Sequence, residues 1–178
     1  MRHIAWSPEN EVFIAQFDAE HRDLYEIAGE LERCIEAQAP DAERGKHLDT
    51  LATHIEEHFQ HEEWLMQSVH YPSYGWHRQQ HDSARRRLRL FVPLVEAGDE
   101  EAAEAFFEFL GGWLNDHTGV ADRMMAAFVR NYERAHATGA VERWLRARTP
   151  VPVAHATNAA EESGPHPQRP VSAELHHD

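Results

Sequence analysis

Along most of the first 137 positions, apolar residues recur at spacings of three and four, the period of one face of an α-helix. In HRDLYEIAGELERCIEA the face is Leu24, Ile27, Ala28, Leu31 and Ile35, and Asp18 is placed to cap this first helix. Pro40 and Asp41 restart the chain into a second helix, with Leu48, Leu51, Ile55, His58, Phe59, Glu62, Leu65 and Met66 on one stripe. Proline disfavours α conformation in the residue before it, so Tyr71-Pro72-Ser73 predicts that this helix ends near Val69 and the next begins near Ser73. The third helix, from about Tyr74 to Glu96, turns His77, His81, Leu88 and Phe91 or Val92 inward. Its arginines, Arg85, Arg86, Arg87 and Arg89, read as a solvated outer face, and Pro93 is expected to kink or end it. Asp99 caps a fourth helix that runs to the neighbourhood of Ala135, with Gly111-Gly112 as a bend or a close helix contact.

The ends of the chain lack this period. Residues 1–18 carry Trp6, Val12, Phe13, Ile14 and Phe17 without helical spacing, which predicts an extended arm held to the domain by its large side chains. Beyond Ala137 the pattern shifts to a short helical candidate at Val141–Arg148. A Pro-, Ala-, Ser- and His-rich stretch follows over 149–178 and reads as disordered. Four long helices with short connections predict an all-α, up-down-up-down four-helix bundle over residues 1–137, with 138–178 as a tail.

Charge and composition narrow the function classes. Among 178 residues, 17 basic against 31 acidic side chains give a formal net charge of −14, a field that repels phosphate backbones and anionic membranes. Nucleic acid is therefore not an expected partner. No apolar run is long enough to span a bilayer, and the N-terminus has no apolar signal core, so a cytoplasmic location is expected. The single cysteine, Cys34, falls beside the apolar stripe of the first helix and reads as a small buried hydrophobe. There is no alignable Ser/His/Asp set, phosphate-binding glycine loop or cysteine cluster to suggest a hydrolase or a nucleotide-binding protein.

Each predicted helix instead brings polar donors to its apolar face. These are His21, then His58 and Glu62, then His77 and His81, then His117 and Asp122. Residues at i and i+4 share a helix face, so His58/Glu62 and His77/His81 each aim two donors at one place. His54 could pair with His58 in the same way, but that choice leaves Glu62 without a role. Asp122 stands five residues from His117, roughly 140° around an ideal helix, so those two are expected to address the centre from different sides. Unpaired buried polar groups cost about 1–3 kcal/mol each, and a bundle gathers seven of them only around a common partner. Seven donors exceed a tetrahedral zinc site, and five imidazoles are too nitrogen-rich for calcium or magnesium. Two metal ions sharing the carboxylates fit, with iron favoured over manganese, cobalt or zinc.

The ordered set His21, His58-x-x-x-Glu62, His77-x-x-x-His81 and His117-x-x-x-x-Asp122 resembles the ligand signature of the hemerythrins, specifically the single-domain bacterial ones. Asp18-x-x-His21, His58-Phe59-x-x-Glu62-Glu63-x-Leu65-Met66, Tyr71-Pro72 and Trp113-Leu114-x-x-His117 extend the likeness over roughly residues 4–135. The resemblance implies two non-heme irons joined by an oxo or hydroxo bridge, with O₂ as ligand. His77, His81 and His117 would hold one iron and His21 and His58 the other, with Glu62 and Asp122 bridging. Reversible O₂ binding for transport, storage or delivery is the expected function. The alternatives are an O₂, redox or nitric oxide sensor, with the tail contacting a protein partner, and a di-iron peroxidase-type enzyme. Trp113 and Leu114 would wall the O₂ pocket together with the residue after His117. That residue is usually aliphatic in the family and is Thr118 here. Its hydroxyl either faces the pocket or bonds back to the carbonyl of Leu114 or Asn115.

Overall fold

The computed structural model describes residues 4–136 and 139–147, and every regular element among them is helical. A 3₁₀ turn at Pro8–Asn10 precedes α1 (Ala15–Glu36), α2 (Asp41–Ser68) and α3 (Tyr74–Glu96). The fourth rod is continuous but compound: α4 (Glu100–Asp116), a π-helical segment (His117–Asp122) and α5 (Arg123–His136). A short α6 (Ala140–Ala147) follows, with Val141 packed on the bundle. The expected disorder of 149–178, and any partner contact through it, lie outside the described residues. No described helix is long and apolar enough to cross a membrane.

Contacts between neighbours establish the antiparallel order. His21 meets His58 while Glu30 meets His47, Glu63 meets His81 while Glu56 meets Arg85, and His81 meets His117 while Phe91 meets Phe106. In each pair one index rises as the other falls, as the short turns between helices require. The α2 stripe read from the sequence is buried residue for residue.

Five expectations about local structure need correction. The first helix starts at Ala15, so Asp18 does not cap it. Asp18 lies inside the first turn, and its Oδ1 accepts a 2.7 Å hydrogen bond from the Val12 amide, which ties the arm to the helix. The extra turn carries Phe17, which is fully buried there. In the arm itself Val12 and Ile14 are buried, but Phe13 points to solvent. Pro93 does not end α3, which runs on for three residues to Glu96; its missing N–H leaves the Arg89 carbonyl without the usual i+4 donor. Arg85 is not part of a solvated face, as described below. Gly111 serves a close contact, though with the arm and not another helix. Ile4 sits so near Gly29 and Gly111 that a Cβ on either glycine would come within 3.3 Å of it.

The apolar core is divided in two. One part joins Leu24, Leu31, Leu51, Phe59, Phe106 and Leu110. The other joins Val12, Phe17, Leu65, Met66, Met125 and Val129. A buried polar layer contributed by all four rods lies between them.

Candidate metal centre

That polar layer consists of His21, His58, Glu62, His77, His81, His117 and Asp122, each buried. The structure thus brings together all seven donors predicted from the sequence, in two overlapping groups. One is Glu62, His77, His81, His117 and Asp122; the other is His21, His58, Glu62 and Asp122. Within each group one donor atom per residue lies within 4.8 Å of all the others.

All five imidazoles present Nε2 to the centre. His21 Nε2 is 3.2 Å from His58 Nε2 and 3.2 Å from Asp122 Oδ2. Glu62 Oε2 is 3.3 Å from His77 Nε2 and 3.2 Å from His81 Nε2. Asp122 Oδ1 is 3.2 Å from His77 Nε2 and 3.0 Å from His117 Nε2. The expected divergence of His117 and Asp122 is not found. The π-helical segment pairs residues at i and i+5, so the wider turn lays Asp122 over His117 on one face.

The backs of two rings are held by carboxylates that the sequence reading missed. His58 Nδ1 donates to Glu20 Oε2 at 3.0 Å, and His81 Nδ1 donates to Glu63 Oε1 at 3.0 Å. A proton fixed on Nδ1 leaves the Nε2 lone pair directed inward, the arrangement in which a carboxylate orients a metal-binding histidine. Glu63 is anchored in turn by Arg85, which donates to it at 2.9 Å and to Glu56 through two bonds of 2.7 and 3.1 Å. Arg85 also lies over Phe59, whose ring stacks on His81 at 4.0 Å. Glu20 is shared with His61 at 3.0 Å. A carboxylate directly before His21 and another directly after Glu62 were visible in the sequence. Only the packing of α1 and α3 on α2 shows that they reach His58 and His81. Replacing Arg85 by alanine frees Glu63, so release of bound metal to a chelator is expected to accelerate by about tenfold, as when an outer partner is lost. Glu56→Gln, which leaves the Glu63 contact in place, should change that rate little.

The electrostatics match the geometry. Burial alone would depress His58, but Glu62, the bonded Glu20 and Asp122 hold it up at about 9. Burial also opposes protonation of His77, yet its contacts with Asp122 and Glu62 carry it to about 10. Burial raises Glu62 and Asp122, but the surrounding imidazoles outweigh it and keep both carboxyls well below their usual range. His117 is lowered, because there burial dominates over the attraction of Asp122. In metal-free protein at neutral pH, two carboxylates are therefore offset by imidazoliums at His58 and His77.

Whether this set suits a metal is decided by the oxygens. Glu62 Oε1 and both oxygens of Asp122 are buried and accept no aligned hydrogen bond, although ring nitrogens stand close to Asp122. Distance without N–H alignment is how lone pairs from several elements meet around a common cation. The nitrogen and carboxylate set fits iron among the transition metals.

The family model of the hemerythrin HHE cation-binding domain matches residues 12–129. The chain belongs to the hemerythrin family. It is 26% identical to a bacteriohemerythrin of Clostridium acetobutylicum over 122 residues, 66% of this chain and 95% of that protein. It is 25% identical to one from Stenotrophomonas maltophilia over 149 residues, covering 82% and 94% of the two chains. With one from Ralstonia nicotianae it shares 27% identity over 126 residues, 71% and 88% respectively. The hemerythrin match takes in α1 to α3, the π-helical segment and all seven donors. The resemblance drawn from the ligand words is thus borne out at the level of the family.

Proposed function

We propose that this hemerythrin binds O₂ reversibly at a centre of two non-heme irons. The reading rests on the unequal division of the donor cluster: three histidines in one group and two in the other, with Glu62 and Asp122 common to both. His77, His81 and His117 would hold one ion and His21 and His58 the other, each carboxylate reaching both. Bound there, iron would supply the electrons and the open coordination position that O₂ capture needs.

The protein's own part is to fix donors and exclude water. Phe59 stacks on His81, and Trp113 stacks on His117 at 4.3 Å, so two rings of the three-histidine group are covered by apolar surface. Leu114 and Thr118, on the same rod as Trp113 and His117, are buried and would continue this wall. The Thr118 hydroxyl donates to the Leu114 carbonyl at 2.8 Å and also accepts from Asn10 Nδ2. Its polarity is satisfied within its own helix and by the arm, which favours a dry pocket and reversible binding over proton-coupled turnover. With only two carboxylates, little negative charge is available to stabilise the high-valent states used by oxidising enzymes.

The test is iron analysis combined with visible absorption of the reduced protein before and after air. Two irons per chain are expected, with a charge-transfer band that appears with O₂ and fades on degassing. One metal per chain, zinc alone, or a band that bleaches irreversibly would overturn the proposal.

A pH dependence follows from the charges at the centre. His58 and His77, at about 9 and about 10, are protonated at pH 7 in metal-free protein and must give up those protons to coordinate. Loading with metal in weak buffer at pH 7 should therefore release about two protons per chain from these rings. Apparent metal affinity should rise with pH and level off once the pH passes the higher of the two values.

A further inference from the structure

Cys34 takes no part in the seven-donor cluster. It lies 34 − 21 = 13 residues beyond His21, about 20 Å along α1 at 1.5 Å per residue. Its side chain is only 8% exposed, and its thiol is in no disulfide. The sulfur is aimed at the first turns of α2, where a Glu43 carboxylate oxygen, a His47 ring nitrogen and Cys34 Sγ lie within 4.8 Å of one another. Glu43 and His47 are an i, i+4 pair on α2, and Glu30 and Cys34 are an i, i+4 pair on α1. Glu30 Oε2 stands 4.0 Å from His47 Nδ1, so the two pairs face each other across the helix seam.

We propose that Cys34, Glu43 and His47, with Glu30 beside them, form a second and mononuclear site for a zinc-class divalent cation. Thiolate, imidazole and carboxylate are the ligand types zinc takes, and a thiolate disfavours calcium and magnesium. Zinc bonds of about 2.0–2.3 Å place tetrahedral donors roughly 3.3–3.8 Å apart, so the trio, within 4.8 Å of one another, needs to draw together by at most about 1–1.5 Å. Glu43 is exposed and His47 half-buried, so their side chains can make that movement while Cys34 stays in its packed position. The ion enters from solvent without opening the core. Burial and the nearby Glu43 push the Cys34 thiol up, against the opposing charge of Arg44, so in solution the sulfur carries its proton. Binding exchanges that proton for the metal: the thiol and a divalent ion give a singly charged thiolate–metal unit and a free proton. The bound ion would clip α1 to α2 next to the turn at residues 37–40.

Cobalt(II) separates this site from the main centre, because a thiolate-to-cobalt charge-transfer band in the near ultraviolet needs sulfur. Cys34 is the only cysteine, and the seven-donor cluster contains no sulfur. Titration of the full-length protein with Co²⁺ should give such a band that saturates at about one sulfur-bound ion per chain and is displaced by Zn²⁺. The band should be missing in Cys34→Ser. In His47→Gln, a change at a half-exposed position checked by circular dichroism, its midpoint should weaken by at least about tenfold. No band in the wild type, a midpoint unchanged in His47→Gln, or saturation at half an ion per chain, meaning two chains joined through sulfur, would each overturn the site. Iron content of the main centre, measured on the same samples, tests the other proposal separately.

Discussion

Glu62→Ala and Asp122→Ala should each lose nearly all bound iron, whereas His21→Ala should keep about half. Each carboxylate belongs to both donor groups, while His21 belongs to the smaller one alone. The five-donor group survives loss of His21 intact. Stability should follow the same order even without metal. Removing either carboxylate leaves the His58 and His77 imidazoliums under-compensated in a fully buried layer, and breaking a buried charge pair on one side costs about 3–5 kcal/mol. For a chain of this size that corresponds to roughly 6–20 °C in Tm. His21→Ala removes a comparable volume without removing a negative charge, so it serves as the control for cavity formation. Iron per chain and thermal melts of loaded and stripped protein measure both effects. Equal retention of iron by all three variants would contradict the shared role of the carboxylates.

Deleting Gly119 should leave a folded, metal-binding protein, while inserting one alanine after Gly119 should abolish metal binding. The reason is helical phase. The π-helical segment accommodates one more residue per turn than an α-helix needs, and this places Asp122 Oδ1 3.0 Å from His117 Nε2. Without Gly119 the pair becomes i, i+4, which an ordinary α-helix also puts on one face, so α4 and α5 keep their relative orientation. Gly119 has open space around its Cα, and its loss breaks no side-chain contact. An inserted residue moves the aspartate to i+6, about 240° from His117 on an α-helix, and swings Met125, Ala126 and Val129 away from the lower core. Those three residues are fully buried, so expelling them costs several kcal/mol in addition to the lost carboxylate. Iron content and the cooperativity of a circular dichroism melt distinguish the two variants. Equal damage from deletion and insertion would show that the wide turn itself, and not the phase it preserves, is required.

The sequence alone was enough for the helical bundle and for picking out the seven side chains that the structure gathers into one buried layer. The bounds of α2 and α3, the buried stripe of α2 and the inward positions of His58, Glu62, His77 and His81 follow from a 3.6-residue period and from proline's effect on its neighbour, both local properties. Chemistry on an apolar face marked His21, His117 and Asp122 for the same reason.

What the sequence could not decide depends on contacts between elements. An ideal helix puts His117 and Asp122 about 140° apart, and nothing in His117-Thr-Gly-Val-Ala-Asp122 announces a wider turn. The turn widens where Asp122 meets nitrogens from α1 and α3, partners that exist only after packing. Arg85 has the sequence context of a solvated arginine and becomes an anchor because Glu56 and Glu63 of α2 happen to face it. Glu20 and Cys34 are similar cases, given meaning by His58 and His47 across the α1–α2 seam. Periodicity sets the angle at which a side chain leaves its own helix, but the residue it meets is set by the depth and crossing of the neighbouring helix, which is a property of the packed chain.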